Sequence, residues 1–127
     1  MKDMDVSKSI GIIQFILICL LLISINGFGQ NVEFKNDTLS YRFHKYYVGK
    51  ELQLGHGSSK SQLFAFIFWG QLSEPANPID SKWAGTIVEV EEIYSRYNIY
   101  YLRCNAKGVV SKFHINIKDA VDNNELK

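Results

Sequence analysis

A chain of 127 residues with a formal net charge of +1 has length for one ordinary domain and no field of one sign with which to hold nucleic acid or an anionic membrane. Its apolar fraction of 46% excludes a disordered tail, and its two cysteines exclude a disulfide scaffold. Seven tyrosines, eight phenylalanines and two tryptophans instead offer a core stabilised by aromatic packing.

The chain begins with Lys2 and Lys8 ahead of an apolar run from Ile10 to Ile25, followed by Gly27-Phe28-Gly29 and Gln30. A basic n-region, an h-region and small residues at the two positions before a cut make a secretory signal peptide over 1–29. The rival reading is a retained membrane anchor. The run is about 16 residues, roughly 24 Å as a helix against a hydrocarbon core of about 30 Å, so length favours removal. Cys19 lies inside the run between Ile18 and Leu20, which is not a lipobox. Loss of Lys2, Lys8, Asp3 and Asp5 leaves the net charge unchanged at +1. Loss of Cys19 leaves Cys104 as the only thiol, so no intramolecular disulfide can form outside the cytoplasm.

Residues 30–37 read as a flexible polar segment, and residues 38–127 as a single domain. Asn36-Asp37-Thr38 offers capping residues before Leu39, Phe43 and Tyr46 or Tyr47, a helical stripe ending at Gly49. A short amphipathic helix is therefore expected there. From Glu51 the period turns towards two: Glu51 to Leu54 is a first strand, stopped by Gly55-His56-Gly57-Ser58-Ser59. The unbroken run Leu63 to Trp69 is a central strand covered on both faces. Ser73 to Ser81, with Pro75 and Pro78, reads as a loop.

Gly85 to Tyr94 is the longest strand, with Val88 and Val90 facing inward. Glu92 falls out of phase, and a β-bulge near Glu91-Glu92 is needed to return Ile93 to the core. Ser95 to Asn98 turns into a strand over Ile99 to Cys104, and Asn105 to Gly108 into one over Val109 to Ile117. Lys118 to Asn123 closes with a helical turn. Five strands of this spacing predict a mainly β protein, a small antiparallel barrel that looks SH3-like or OB-like over Val48 to Ile117. The string Val48 to Gly55, with the ending Phe113 to Leu126, resembles small exported bacterial envelope proteins of unassigned role. That resemblance implies export and carries no activity, cofactor or site residue.

Candidate chemistry is sparse. Gly55 to Ser61 invites comparison with a phosphate loop, but it has no Gly before Lys60 and a strand follows where a helix N-terminus is needed. If the loop bound an anion, Lys60 and His56 would contact it. Cys104 and His114 are the only pair that could make a nucleophile, and alternation puts them on opposite faces, with Cys104 buried and inert. His44, His56 and His114 have no metal-ligand spacing and read as three surface histidines; no metal and no cofactor are expected. Glu89 and Glu91 share a face and read as solvated. Asn36-Asp37-Thr38 also matches an N-glycosylation sequon.

Tyr97, Tyr101, Arg96 and Arg103 cluster at one hairpin, and Tyr and Arg are the residue types enriched at interface hot spots. Alternation cannot bury Tyr100 and Tyr101 together, so these four residues are the expected exposed binding face. The function expected is a non-catalytic binding or structural module, periplasmic or secreted, with a protein, peptide or glycan as partner. Two alternatives stand beside it: a small exported hydrolase or transferase using the Gly55 to Ser61 loop or Cys104, and an anchored protein that meets the membrane only through an uncleaved signal.

Overall fold

The structure, a computed structural model, describes residues 31–70 and 75–127; the expected signal peptide and Cys19 lie outside them. The described residues form two antiparallel sheets and one short helix. The first sheet is a meander of β1 (Glu33–Lys35), β2 (Thr38–Tyr41) and β3 (His44–Tyr46). Its two connections are two-residue turns, Asn36-Asp37 and Arg42-Phe43, and all four residues have positive φ, between 48° and 68°. Left-handed pairs of this kind twist in the same sense as the strands they join, which closes tight hairpins. Asn and Asp adopt the conformation readily; Arg42 and Phe43 carry strain in it.

The expected helix over this stretch is therefore absent, and the segment expected to be flexible holds β1. The cause is an ambiguity of period. Leu39 and Tyr46 are seven apart, as on one helix face, but here they are direct cross-strand partners, both buried. Leu39 and Tyr41 are buried at a spacing of two, while Phe43 at the turn is fully exposed.

The second sheet has six strands in the order β4 (Glu51–Gln53), β7 (Ile87–Arg96), β8 (Ile99–Asn105), β9 (Lys112–Asn116), β5 (Ile67–Gly70) and β6 (Asn77–Pro78). The register of β7 on β8 shifts between Val90 and Glu92, which is the bulge the pattern required. Helix α1 (Ile117–Asp122) follows β9; its first turn is capped by Asn116, whose side chain accepts from Asp119 N–H while its Nδ2 donates to Asp119.

Each of the five expected strands has a counterpart among the described residues, with shorter limits for β4, β5 and β9 and a shift of two residues for β7, but they do not close a barrel. The strand expected to be central and covered on both faces is instead β5, next to the β6 edge, where only Ile67 is buried, because β8 and β9 pair between it and β7. Four further strands are present, and the sheet edges are used otherwise. Beyond β4, Leu54 bridges Leu126 and Lys127 N–H donates to Gln53 O at 2.9 Å. At the other edge, β6 lies in the expected proline loop and ends in Pro78, which has no N–H to continue a ladder. Among the described residues no helix is long and apolar enough to cross a membrane.

Val32–Lys127 packs as one unit around the inward face of the large sheet. Rows Ile93–Leu102–Ile115–Ile67 and Val90–Cys104–Phe113–Trp69 run across that face. Leu39 and Tyr46 of the meander belong to the same buried cluster, with Leu52, Leu54, Phe64, Ile79, Val88, Ala106, Ile117, Ala120 and Leu126. Trp69, Trp83 and Phe113 meet with ring centroids 4.6–5.4 Å apart. The meander is tied to α1 by polar contacts: the Tyr41 hydroxyl donates to Asp122 at 2.7 Å, and Arg42 pairs with the same carboxylate at 3.2 Å.

Candidate binding face and the polar network behind it

The hairpin joining β7 and β8 turns through Tyr97 and Asn98, both at positive φ, again a left-handed two-residue turn. It carries Tyr97 out to 83% exposure, with the Arg96 guanidinium 5.4 Å from the centre of its ring. Two of the four expected site residues are thus together at the tip, Tyr97 exposed and Arg96 half-buried. The other two are not exposed beside them. Tyr101 is 9% exposed and stacks on its cross-strand partner Tyr94, with centroids 5.3 Å apart and planes 13° from parallel. Tyr100 takes the inward side and rests 5.8 Å from Phe34. Alternation does separate Tyr100 from Tyr101, but the outward face of the sheet has its own packing, which covers the Tyr101 ring.

Arg103 is equally engaged. The bulge turns two consecutive carboxylates towards it: Glu92 at 2.8 Å from one terminal nitrogen and Glu91 at 3.6 Å from Nε. Glu91 also accepts from Asn105 Nδ2 at 2.5 Å and from Lys112 Nζ at 2.7 Å. Those hydrogen bonds, Asn105 first and Lys112 second, hold its carboxyl below the ordinary range. The expected solvated pair Glu89 and Glu91 is therefore split, because the extra residue in β7 frees Glu91 from the regular ladder.

His114, expected at the surface, is buried. Its Nε2 lies 3.1 Å from Gly70 O and its Nδ1 2.6 Å from the Tyr94 hydroxyl. A carbonyl can only accept, so Nε2 carries the proton; Nδ1 then accepts from Tyr94 O–H. The imidazole is neutral in this arrangement, and burial pushes its pKa down, with the neighbouring Arg103 acting in the same direction. The chain Tyr94–His114–Gly70 thus links β7, β9 and the end of β5. His44 and His56 are exposed, His44 on β3 rather than on a helix.

Cys104 is buried and burial pushes its thiol far up. It faces Phe113 across the strand pair, whereas His114 faces Arg103, so thiol and imidazole lie on opposite sides of the sheet. The loop from Gly55 to Ser61 is occupied by the chain itself. Glu125, fully buried, accepts from Ser58 N–H at 3.0 Å, Ser58 Oγ at 2.5 Å, Ala65 N–H at 2.7 Å and Phe66 N–H at 2.8 Å. The glycines serve close backbone approach: a Cβ on Gly55 would stand 2.3 Å from Asn124 O, and one on Gly57 would stand 2.0 Å from Gln62 O. An internal carboxylate takes the place an external anion would need. Nothing local in the sequence signals Glu125, a single acid between Asn124 and Leu126.

Open grooves among the described residues include the following two. One, of about 530 Å³, is lined by Glu51, Ile87, Val88, Glu89, Asn105 and Lys107; the other, of about 300 Å³, crosses the outer face of the meander. Among the described residues no group of three His, Cys, Asp or Glu side chains could hold a metal ion. No protein-family model, curated protein or solved structure matches this chain.

Proposed function

We propose that the chain is an exported, non-catalytic binding or structural module of the cell envelope that meets a protein partner through the tip of the β7–β8 hairpin. The observation behind this reading is Tyr97, presented at 83% exposure under the Arg96 guanidinium in a tight turn. An aromatic ring with an arginine on a short turn loses little freedom on binding, which is what makes such pairs effective anchors. Tyr101 and Arg103 act from behind, by fixing β7 to β8 through the Tyr94 stack and the Glu91–Glu92 pairs. Export rests on the basic, apolar and small-residue order of 1–29. A peptide or glycan would use the same ring. The hydrolase or transferase alternative has less behind it, because Cys104 is buried and the Ser58 amide is already bonded to Glu125.

A photo-crosslinking side chain placed at Tyr97 in the full chain, in exporting cells, should give a discrete adduct. The same probe at Val110, exposed at 87% in the β8–β9 connection, should not. Tyr97→Ala should change stability by no more than about 0.5 kcal/mol, as for exposed positions in general, while weakening capture of that partner at least about tenfold. Equal adducts from Tyr97 and Val110, or capture indifferent to Tyr97→Ala, would remove the hairpin tip as the contact.

A further inference from the structure

Edge strands present unpaired backbone groups, and proteins usually obstruct them. Here the edges of the large sheet are obstructed by Leu126 and Lys127 beyond β4 and by Pro78 in β6. On the β3 side of the meander, the Lys50 ammonium donates to Lys45 O. The outer edge of β1 has no such cover among the described residues. Lys35 and Thr38 flank a two-residue turn and form its hydrogen-bonded pair, so in the alternation of an antiparallel ladder it is Phe34 whose N–H and C=O point away from β2. The Phe34 ring is 41% exposed, resting on Tyr100 with its outer side open. Glu33 and Lys35 stand on the other face of the strand, on either side of Phe34, and neither has an ion partner among the described residues.

This sequence, Glu-Phe-Lys, is complementary to itself when read antiparallel. We propose that β1 pairs with β1 of a second copy of the chain about a two-fold axis at Phe34. The axis places Glu33 opposite the partner copy's Lys35 and Lys35 opposite its Glu33. It also lets Phe34 exchange N–H···O=C bonds with its own symmetry mate and covers the open side of each ring. The contact is isologous, closes on itself, and joins two three-stranded meanders into one continuous sheet. Two backbone hydrogen bonds, two ion pairs and one aromatic contact are far below the area of an obligate interface, so the association is concentration-dependent and salt-sensitive.

Sedimentation equilibrium of the full chain in a density-matched mild detergent tests this, with far-UV circular dichroism as the folding control for two exposed substitutions. Wild type should show a reversible monomer–dimer equilibrium. Glu33→Lys and Lys35→Glu should each raise the dissociation constant at least tenfold, since each sets like charges opposite one another. An equimolar mixture of the two variants should restore association, because the Lys-Phe-Lys edge then faces the Glu-Phe-Glu edge. A wild type that stays monomeric overturns the proposal and leaves the edge to a foreign extended strand. A dimer indifferent to both charge changes overturns it too, by placing the contact elsewhere in the chain.

Discussion

Glu125→Ala should destabilise the domain by about 3–5 kcal/mol, a large share of the roughly 5–15 kcal/mol that holds a domain of this size together. The side chain satisfies three backbone amides and one hydroxyl, and hydrogen bonds to a charged acceptor contribute about 1.5–3 kcal/mol each, less when removed as a group. Truncation strands the amides of Ala65 and Phe66 next to buried Phe64 and leaves a void where the carboxylate stood. Glu125→Gln separates charge from shape. One oxygen accepts from Ser58 twice and from Ala65, the other from Phe66 alone. An amide oriented to keep the first set turns its NH₂ towards the Phe66 N–H, two donors face to face, at a cost of about 1–3 kcal/mol. Ser58→Ala, which removes a single donor, should cost about 1 kcal/mol. Urea unfolding gives the order Ala, then Gln, then Ser58→Ala. Hydrogen exchange should localise the loss to the amides of Ser58, Ala65 and Phe66; a Glu125→Ala protein as stable as wild type would show that the clamp is dispensable.

The second large effect is expected at His114 and is read through pH. Its pKa is lowered in the folded state, so the unfolded chain binds the extra proton first as the solution is acidified. The stabilisation is complete above the unfolded value near 6.5 and is lost as pH falls through the lower folded value. Protonation puts a second hydrogen on the ring, at Nδ1, where the Tyr94 hydroxyl already donates; it also sets a new charge close to Arg103 in the same cross-strand row. Glu92 offsets part of that repulsion. His114→Leu should cost about 2–4 kcal/mol at pH 7.5, because Gly70 O and Tyr94 O–H lose their partner inside the fold. It should also flatten the decline in urea midpoint between pH 7 and pH 5. Glu91, whose pKa is lowered as well, contributes stability that is present above about 4.5 and lost below it, so the two windows are separable. A His114→Leu protein that keeps the wild-type slope between pH 7 and pH 5 would assign the acid sensitivity to another group.

Where local pattern and tertiary placement agree, the sequence was legible. The out-of-phase Glu92 located the bulge in β7, a hairpin turn expected over Ser95 to Asn98 exists with its first two residues still in β7, the helical turn after β9 followed from its residues, and alternation separated Cys104 from His114. The meander was not legible, because Leu39, Phe43 and Tyr46 fit a helical stripe as well as a pair of hairpins, and only cross-strand pairing decides. Closure into a barrel is a property of the two edge strands, and theirs were settled by Leu126, Lys127 and Pro78, residues remote from the strands that suggested it. His114 and Tyr101 were misjudged for one shared reason. Alternation says which side of a sheet a residue faces, and the outward side carries its own stacked tyrosines and ion pairs. Glu125 had no local signal at all, since its donors are 59 to 67 positions away.

The bulge in β7 has a consequence for the spacing of the chain. Remove Glu91 on paper and Val88, Glu89, Val90, Glu92, Ile93 becomes an unbroken alternation, with every inward residue still inward. Glu91 is thus an interpolated residue: the two halves of the strand are in step with each other only when it is not counted. Shortening the chain by one of the two adjacent glutamates would spare the core set and leave one carboxylate where two now meet Asn105, Lys112 and Arg103, whereas loss of Val90 would set Glu91 in its inward place. A single supernumerary residue therefore separates what the strand must do for the core from what it does on its opposite face.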